Sequence, residues 1–141
     1  LYNWSAAMNG APSSNSNPSN VQGIAPTGWH LPSKAEWIQL AGYLEGLNIA
    51  GGKLKETGTA RWVSPNTGAT NQCGFAALPA GMHDFSGIFQ WFGDHCAFSS
   101  STGNLSQLEV TAIMLETTSA KMTVGGFHPD DAVSVRCVKN Y

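Results

Sequence analysis

The chain has 141 residues, a formal net charge of −2, 42% hydrophobic and 11% charged residues, and 16 glycines. That length suits one domain, 1–141, large enough to bury about two thirds of its unfolded surface in a real core. The charge content is less than half of the roughly one quarter usual for globular proteins. It excludes the Lys and Arg clusters that phosphate backbones and anionic lipid require, and the abundance of Gly, Ser, Thr and Asn excludes a long helical bundle.

Seven basic residues spread from Lys34 to Lys139 form no patch, so no nucleic-acid partner is expected. No run of about 18 apolar residues offers direct membrane insertion. Leu1-Tyr2-Asn3-Trp4 is not a signal peptide. The missing initiator Met suggests a processed or excised domain whose targeting segment lies upstream. Cys73, Cys96 and Cys137 cannot all pair within one molecule, and their spacing matches no zinc pattern. Cys73 and Cys137 are read as small buried hydrophobes.

Residues 10–20 contain Pro, Gly, Ser and Asn without periodicity and predict an exposed loop. Ser33-Lys34-Ala35-Glu36 is a capping box after Pro32. Trp37, Leu40, Ala41, Leu44 and Leu47 then recur at helical spacing, which predicts a helix over about 33–46 that stops near Gly46. Gly51-Gly52-Lys53-Leu54-Lys55 and Ser64-Pro65-Asn66-Thr67-Gly68 read as turns. The first lacks the remaining spacing of a phosphate-binding loop. Strands are expected at 75–79, 110–115, 120–124 and 133–138, the last alternating Val133, Val135 and Cys137 with Ser134 and Arg136. The plan is α+β, an early helix packed on an irregular antiparallel sheet, with functional loops at 80–106 and 123–131.

Pro26-Thr27-Gly28-Trp29-His30-Leu31-Pro32-Ser33, followed by Glu36-Trp37, is more specific. So are Leu1–Ala7, Gly51–Glu56, Asn66–Asn71, Gly74–Gly81, Ser86–Phe89 and Ser134–Lys139. Together, in this order, they resemble the Fibrobacter succinogenes major paralogous domain family over almost the whole chain. The resemblance implies a C-type-lectin-like fold of the formylglycine-generating-enzyme branch, in bacterial surface or phage proteins. It also implies use as a binding platform. In one group of relatives, the variable proteins of diversity-generating retroelements, randomised adenine-containing codons alter the ligand-binding face. The family usually has Cys where this chain has Ala25, so the implied partner of Cys137 is missing. Met82-His83-Asp84 and Cys96–Ser101 also depart from the family pattern.

Residues 94–98, 111–113 and 124–128 contain only types that a randomised AAC or AAT codon can yield, whereas Met82 falls outside that set. Three chemistries compete for these segments. His95-Cys96 suggests a base and a thiol nucleophile, although neighbours on a strand point to opposite faces. The active-site cysteine pair of formylglycine-generating enzymes has no match in the chain. His83, Asp84, Asp94, His95 and His128 could supply metal ligands, or simply be surface residues. No sugar-binding Glu-Pro-Asn or Gln-Pro-Asp signature is present.

Among the tryptophans, Trp4, Trp29 and Trp37 are expected in the core. Trp62 is ambiguous, and Trp91 is either core or an interface anchor. The expectation is therefore a non-enzymatic, cofactor-free module holding an unknown protein or surface ligand outside the cytoplasm, on a bacterial surface or virion. Its face comprises Met82, His83, Asp84, Asp94, His95, Cys96, Ala97, Phe98, Thr111, Ala112, Ile113, Val124, Gly125, Gly126, Phe127 and His128. Phe98 and Phe127 are the expected aromatic anchors. A structural or adhesin subunit and, more remotely, an enzyme related to formylglycine-generating enzyme are the alternatives.

Overall fold

The computed structural model describes residues 1–141. The first helix, α1 (Trp4–Met8), starts where the Asn3 side chain accepts from the Ala6 N–H and ends at Asn9 in the left-handed region. A short strand β1 (Trp29–His30) leads into α2 (Lys34–Tyr43). The Ser33–Glu36 box caps α2 as expected, each side chain bonding the other's backbone N–H. Gly46 then begins α3 (Leu47–Leu54), a helix that the Gly51-Gly52 pair had disguised as a turn. A Cβ at Gly51 would lie 2.2 Å from the Lys121 carbonyl oxygen, and one at Gly52 would lie 2.3 Å from that of Gly68. The glycines therefore serve close packing against neighbouring backbone rather than chain reversal.

Strands β2 (Ala80–His83), β3 (Phe89–Phe92), β4 (His95–Asn104), β5 (Glu109–Glu116) and β6 (Thr123–Phe127) form one sheet in the order β3-β2-β4-β5-β6. Its pairings are antiparallel except β2 with β4. The last strand, β7 (Val138–Lys139), pairs with β1. The molecule is thus mixed α+β, mostly sheet with few helices. Helices α2 and α3 cover one face of the large sheet, where Trp37, Leu44, Leu54 and Trp62 pack with Cys96, Phe98, Ile113 and Leu115. A second cluster joins α1 to Val21, Leu31 and Val110.

Several sequence expectations change. The segment 80–106 is a hairpin and a ten-residue strand rather than loop. Residues 75–79 contribute only the isolated bridge Lys55–Ala77, and 133–138 only single bridges before β7. The third expected strand begins at Thr123 rather than residue 120. The 10–20 segment has no regular structure, yet it is tied down. Ser14 N–H donates to the Ser101 carbonyl, Ser101 and Thr102 hydroxyls donate to the Ser14 carbonyl, and Ser19 is buried beneath Leu31. Its hydroxyl groups replace a β-ladder as the means of satisfying backbone.

Trp4, Trp37 and Trp62 are buried, and each indole N–H donates to a backbone carbonyl. Trp29 instead lies exposed on the two-stranded ribbon, contrary to the core expectation. Cys73 is exposed and Cys137 half-buried; Cys96 is the fully buried thiol, and all three are free. The side chain of Lys55 is also buried. Its ammonium donates to the carbonyls of Thr67, Glu116 and Ser119 at 2.8–2.9 Å, tying the loop after α3 to the end of β5 and the middle of the β5–β6 connection.

Candidate functional site

The face of the sheet away from the helices is built on the two-residue alternation of strands. Ile113 and Leu115 enter the core under the helices, so Met114 between them turns outward. By pairing, Met114 lies beside Ala97 of β4 and Thr123 of β6, while Ala112 lies beside Gly125. Met82 of β2 packs with Ala97 and Val133, with Phe127 against them. Small side chains at positions 97, 112 and 125 keep this floor low. A groove of about 410 Å³ results, walled by Phe85, Gln90 and Trp91 of the β2–β3 hairpin on one side and by Gly126, Phe127 and Asp131 on the other.

Two aspartates set the walls. Asp84 Oδ1 accepts from the Ser86 N–H and hydroxyl and from the Ile88 N–H, and its Oδ2 accepts from the Gln90 amide. These bonds, led by the Ser86 hydroxyl, hold the carboxyl below its usual range, which marks the carboxylate as the organiser of the turn. Asp131 is buried; one oxygen accepts from the Phe85 N–H and the other from the His128 N–H, clasping the hairpin turn to the end of β6. Above this clasp the Phe85 and His128 rings stack at 4.8 Å, and farther along Trp91 stacks on His95 at 5.0 Å.

The exposed surface of the hairpin is apolar. Phe85 is 67% exposed and Phe92 74%, with Ile88, Phe89 and Trp91 also exposed between them. Isolated exposed apolar residues are ordinary, but five large ones within eight positions, with the Phe89 and Phe92 ring centroids 6.1 Å apart, give the hairpin a concentration of exposed apolar surface.

Over residues 1–139 the chain matches the Fibrobacter succinogenes major domain. It belongs to that family. No curated protein and no solved structure matches it.

In this Fibrobacter succinogenes major domain, the groove gathers Met82, Asp84, Gly125, Gly126 and Phe127 from the expected face. His83 and His128 flank it, His83 through paired backbone bonds with Ala132. His95 and Asp94 lie past Trp91, the former 3.4 Å from Glu116. Thr111 is partly covered on β5, and Val124 packs toward the main core.

Cys96, Phe98 and Ile113 point into that core and must be removed from the face. Phe98 is no anchor, because its ring packs edge-on against Phe75 at 5.3 Å and beside Trp37. Ala97 and Ala112 are buried as floor, and Met82 is 3% exposed, so they shape the groove more than they contact its occupant. Sequence reading missed Phe85, Gln90, Met114, Thr123 and Asp131. The apolar run from Phe85 to Phe92 was the available signal for the hairpin wall.

Along β4, His95 and Cys96 project to opposite faces, and burial pushes the Cys96 thiol up to about 12. A protonated, enclosed thiol that diverges from its would-be base cannot act as their joint nucleophile. No three His, Cys, Asp or Glu side chains converge as metal ligands. Asp84 is already engaged by its own turn.

Proposed function

We propose that this domain is a non-enzymatic binding module of the C-type-lectin-like fold, displayed outside the cytoplasm on a bacterial surface or virion. It holds a protein or surface ligand against the β2–β3 hairpin and the groove beside it. The observation that carries this reading is the exposed run Phe85, Ile88, Phe89, Trp91 and Phe92 alongside a groove with a small-residue floor. Aromatic side chains so placed supply large contact areas with few rotors to immobilise. Neither nucleic acid nor the bilayer interior is its proposed partner, and no cofactor takes part.

Peptides selected by display on the whole domain test this directly. Trp91→Ala and Gly125→Phe, which remove a wall and fill the floor, are expected to weaken the selected binders at least about ten-fold. Ile49→Ala, on the exposed side of α3, is expected to leave them unchanged. Equal binding by all variants refutes the assignment.

Retroelement diversification of the gene belongs to the same proposal. It would act on accessible positions such as His83, Asp94, His95, Thr111, Gly125, Gly126, Phe127 and His128, because Cys96, Phe98 and Ile113 would transmit changes to the core. Deep sequencing of the gene across its source population should show adenine-derived substitutions concentrated there. An even scatter of substitutions removes the diversification idea.

The exposed edge strand β3 favours a second reading, a structural or adhesin subunit that pairs with another copy. Light scattering distinguishes the two, since that role predicts concentration-dependent assembly abolished by Phe89→Ser with Phe92→Ser.

A further inference from the structure

A second groove, of about 990 Å³, lies between the start of α2 and the C-terminal segment. Its lining includes His30, Glu36, Phe75 and Arg136, with amides of Asn17 and Gln39 and the phenol of Tyr43. Glu36 is the only carboxylate side chain there, and its charge is already engaged. One oxygen lies 2.7 Å from His30 Nε2, and the other accepts from the backbone N–H groups of Ser19 and Ser33.

Arg136 is the opposite case. Its guanidinium lies over the Phe75 ring, 4.4 Å from the centroid, and makes no hydrogen bond or ion pair with any other part of the protein. The ring beneath is itself fixed by edge contacts with Trp37 and Phe98. The contact holds the guanidinium over the ring and leaves its N–H groups without a partner on the protein, at the exposed rim of a groove whose one side-chain acid is occupied.

We infer that this groove is a second binding site, which takes a small carboxylate on the Arg136 guanidinium. The planar fork of Arg136 matches the two oxygens of a carboxylate; Asn17 donates its amide to the Gln39 carbonyl oxygen, which leaves the Asn17 oxygen, the Gln39 N–H groups and the Tyr43 phenol to suit neighbouring hydroxyl or amide groups of the same ligand. Two sources share this chemistry, a sugar acid and the free α-carboxylate of a peptide. The site is on different elements from the hairpin groove, so it stands or falls independently of that reading.

The test follows the Arg136 Nε–H resonance of the intact domain by NMR during titration with glucuronate, N-acetylglycine and, as a neutral control, glucose. Saturable movement with both carboxylates and none with glucose is the expected result. A response to glucuronate alone identifies a sugar acid, and one to N-acetylglycine alone a chain terminus. Arg136→Gln should weaken the responding ligand at least about ten-fold, with Arg136→Lys between it and wild type. The inference is overturned if neither carboxylate moves the resonance saturably, if glucose does so equally, or if folded Arg136→Gln binds as tightly as wild type.

Discussion

Lys55 shows how one buried side chain can organise several loops. Burial pushes its ammonium below the usual lysine range, yet three carbonyls match its three N–H bonds. Lys55→Met keeps much of the volume and strands the carbonyls, so urea unfolding should show a loss of at least about 2 kcal/mol. The cysteines differ in accessibility. Alkylation of the native domain at pH 8 should label Cys73, while Cys96, with its thiol pushed up to about 12 by burial, reacts only on unfolding. Asp84 carries a pH dependence of defined sign. Its carboxyl is held below the unfolded value, so the turn's stabilisation is full above the ordinary carboxylate range and disappears as pH falls through the lowered value. Protection of the Ser86 and Ile88 amides, expressed relative to intrinsic exchange at each pH, should therefore fall in acid, and Asp84→Asn should remove that acid-induced step.

The elements are set by different kinds of information. The α2 cap is local: hydroxyl, carboxylate and backbone donors lie within four residues, so Ser33 and Glu36 were legible without tertiary structure. The glycines of α3 and of the hairpin are not local in this sense. At Gly81, φ is +65° and a Cβ would lie 2.3 Å from the Gln90 carbonyl oxygen, whereas at Gly125 the nearest contact would be the Phe127 ring at 3.8 Å. Gly81→Ala should cost about 2 kcal/mol or more in thermal or urea unfolding. Gly125→Ala should change stability by no more than about 0.5 kcal/mol. That contrast separates a glycine required by the backbone from one whose missing side chain opens the groove floor.

At the scale of the molecule, the helices consume one sheet face and leave the other to the groove, while the hairpin extends apolar surface beyond the core. That surface is where the proposed partner binding, or self-association, would take place. Phe92→Ser should leave stability nearly unchanged and reduce either ligand binding or self-association. Calorimetry with the selected peptides and light scattering of the free domain determine which. A large loss of stability instead would mean that Phe92 supports the fold.

The sequence by itself determined the family motifs, the α+β composition, the α2 cap and strand β5, because turn chemistry, capping and short-range periodicity act between near neighbours. It also located part of the groove, through Asp84, Gly125, Gly126 and Phe127. Which side chains of an alternating strand are spent on the core depends on where the helices dock, as the burial of Phe98 and outward placement of Met114 show. The helical role of Gly51 and Gly52, the anchoring of the 10–20 segment and the Asp131 clasp likewise depend on residues far away in the chain. Only the tertiary structure decided these, because they arise from backbone approach and hydrogen-bond satisfaction between segments that carry no matching local signal.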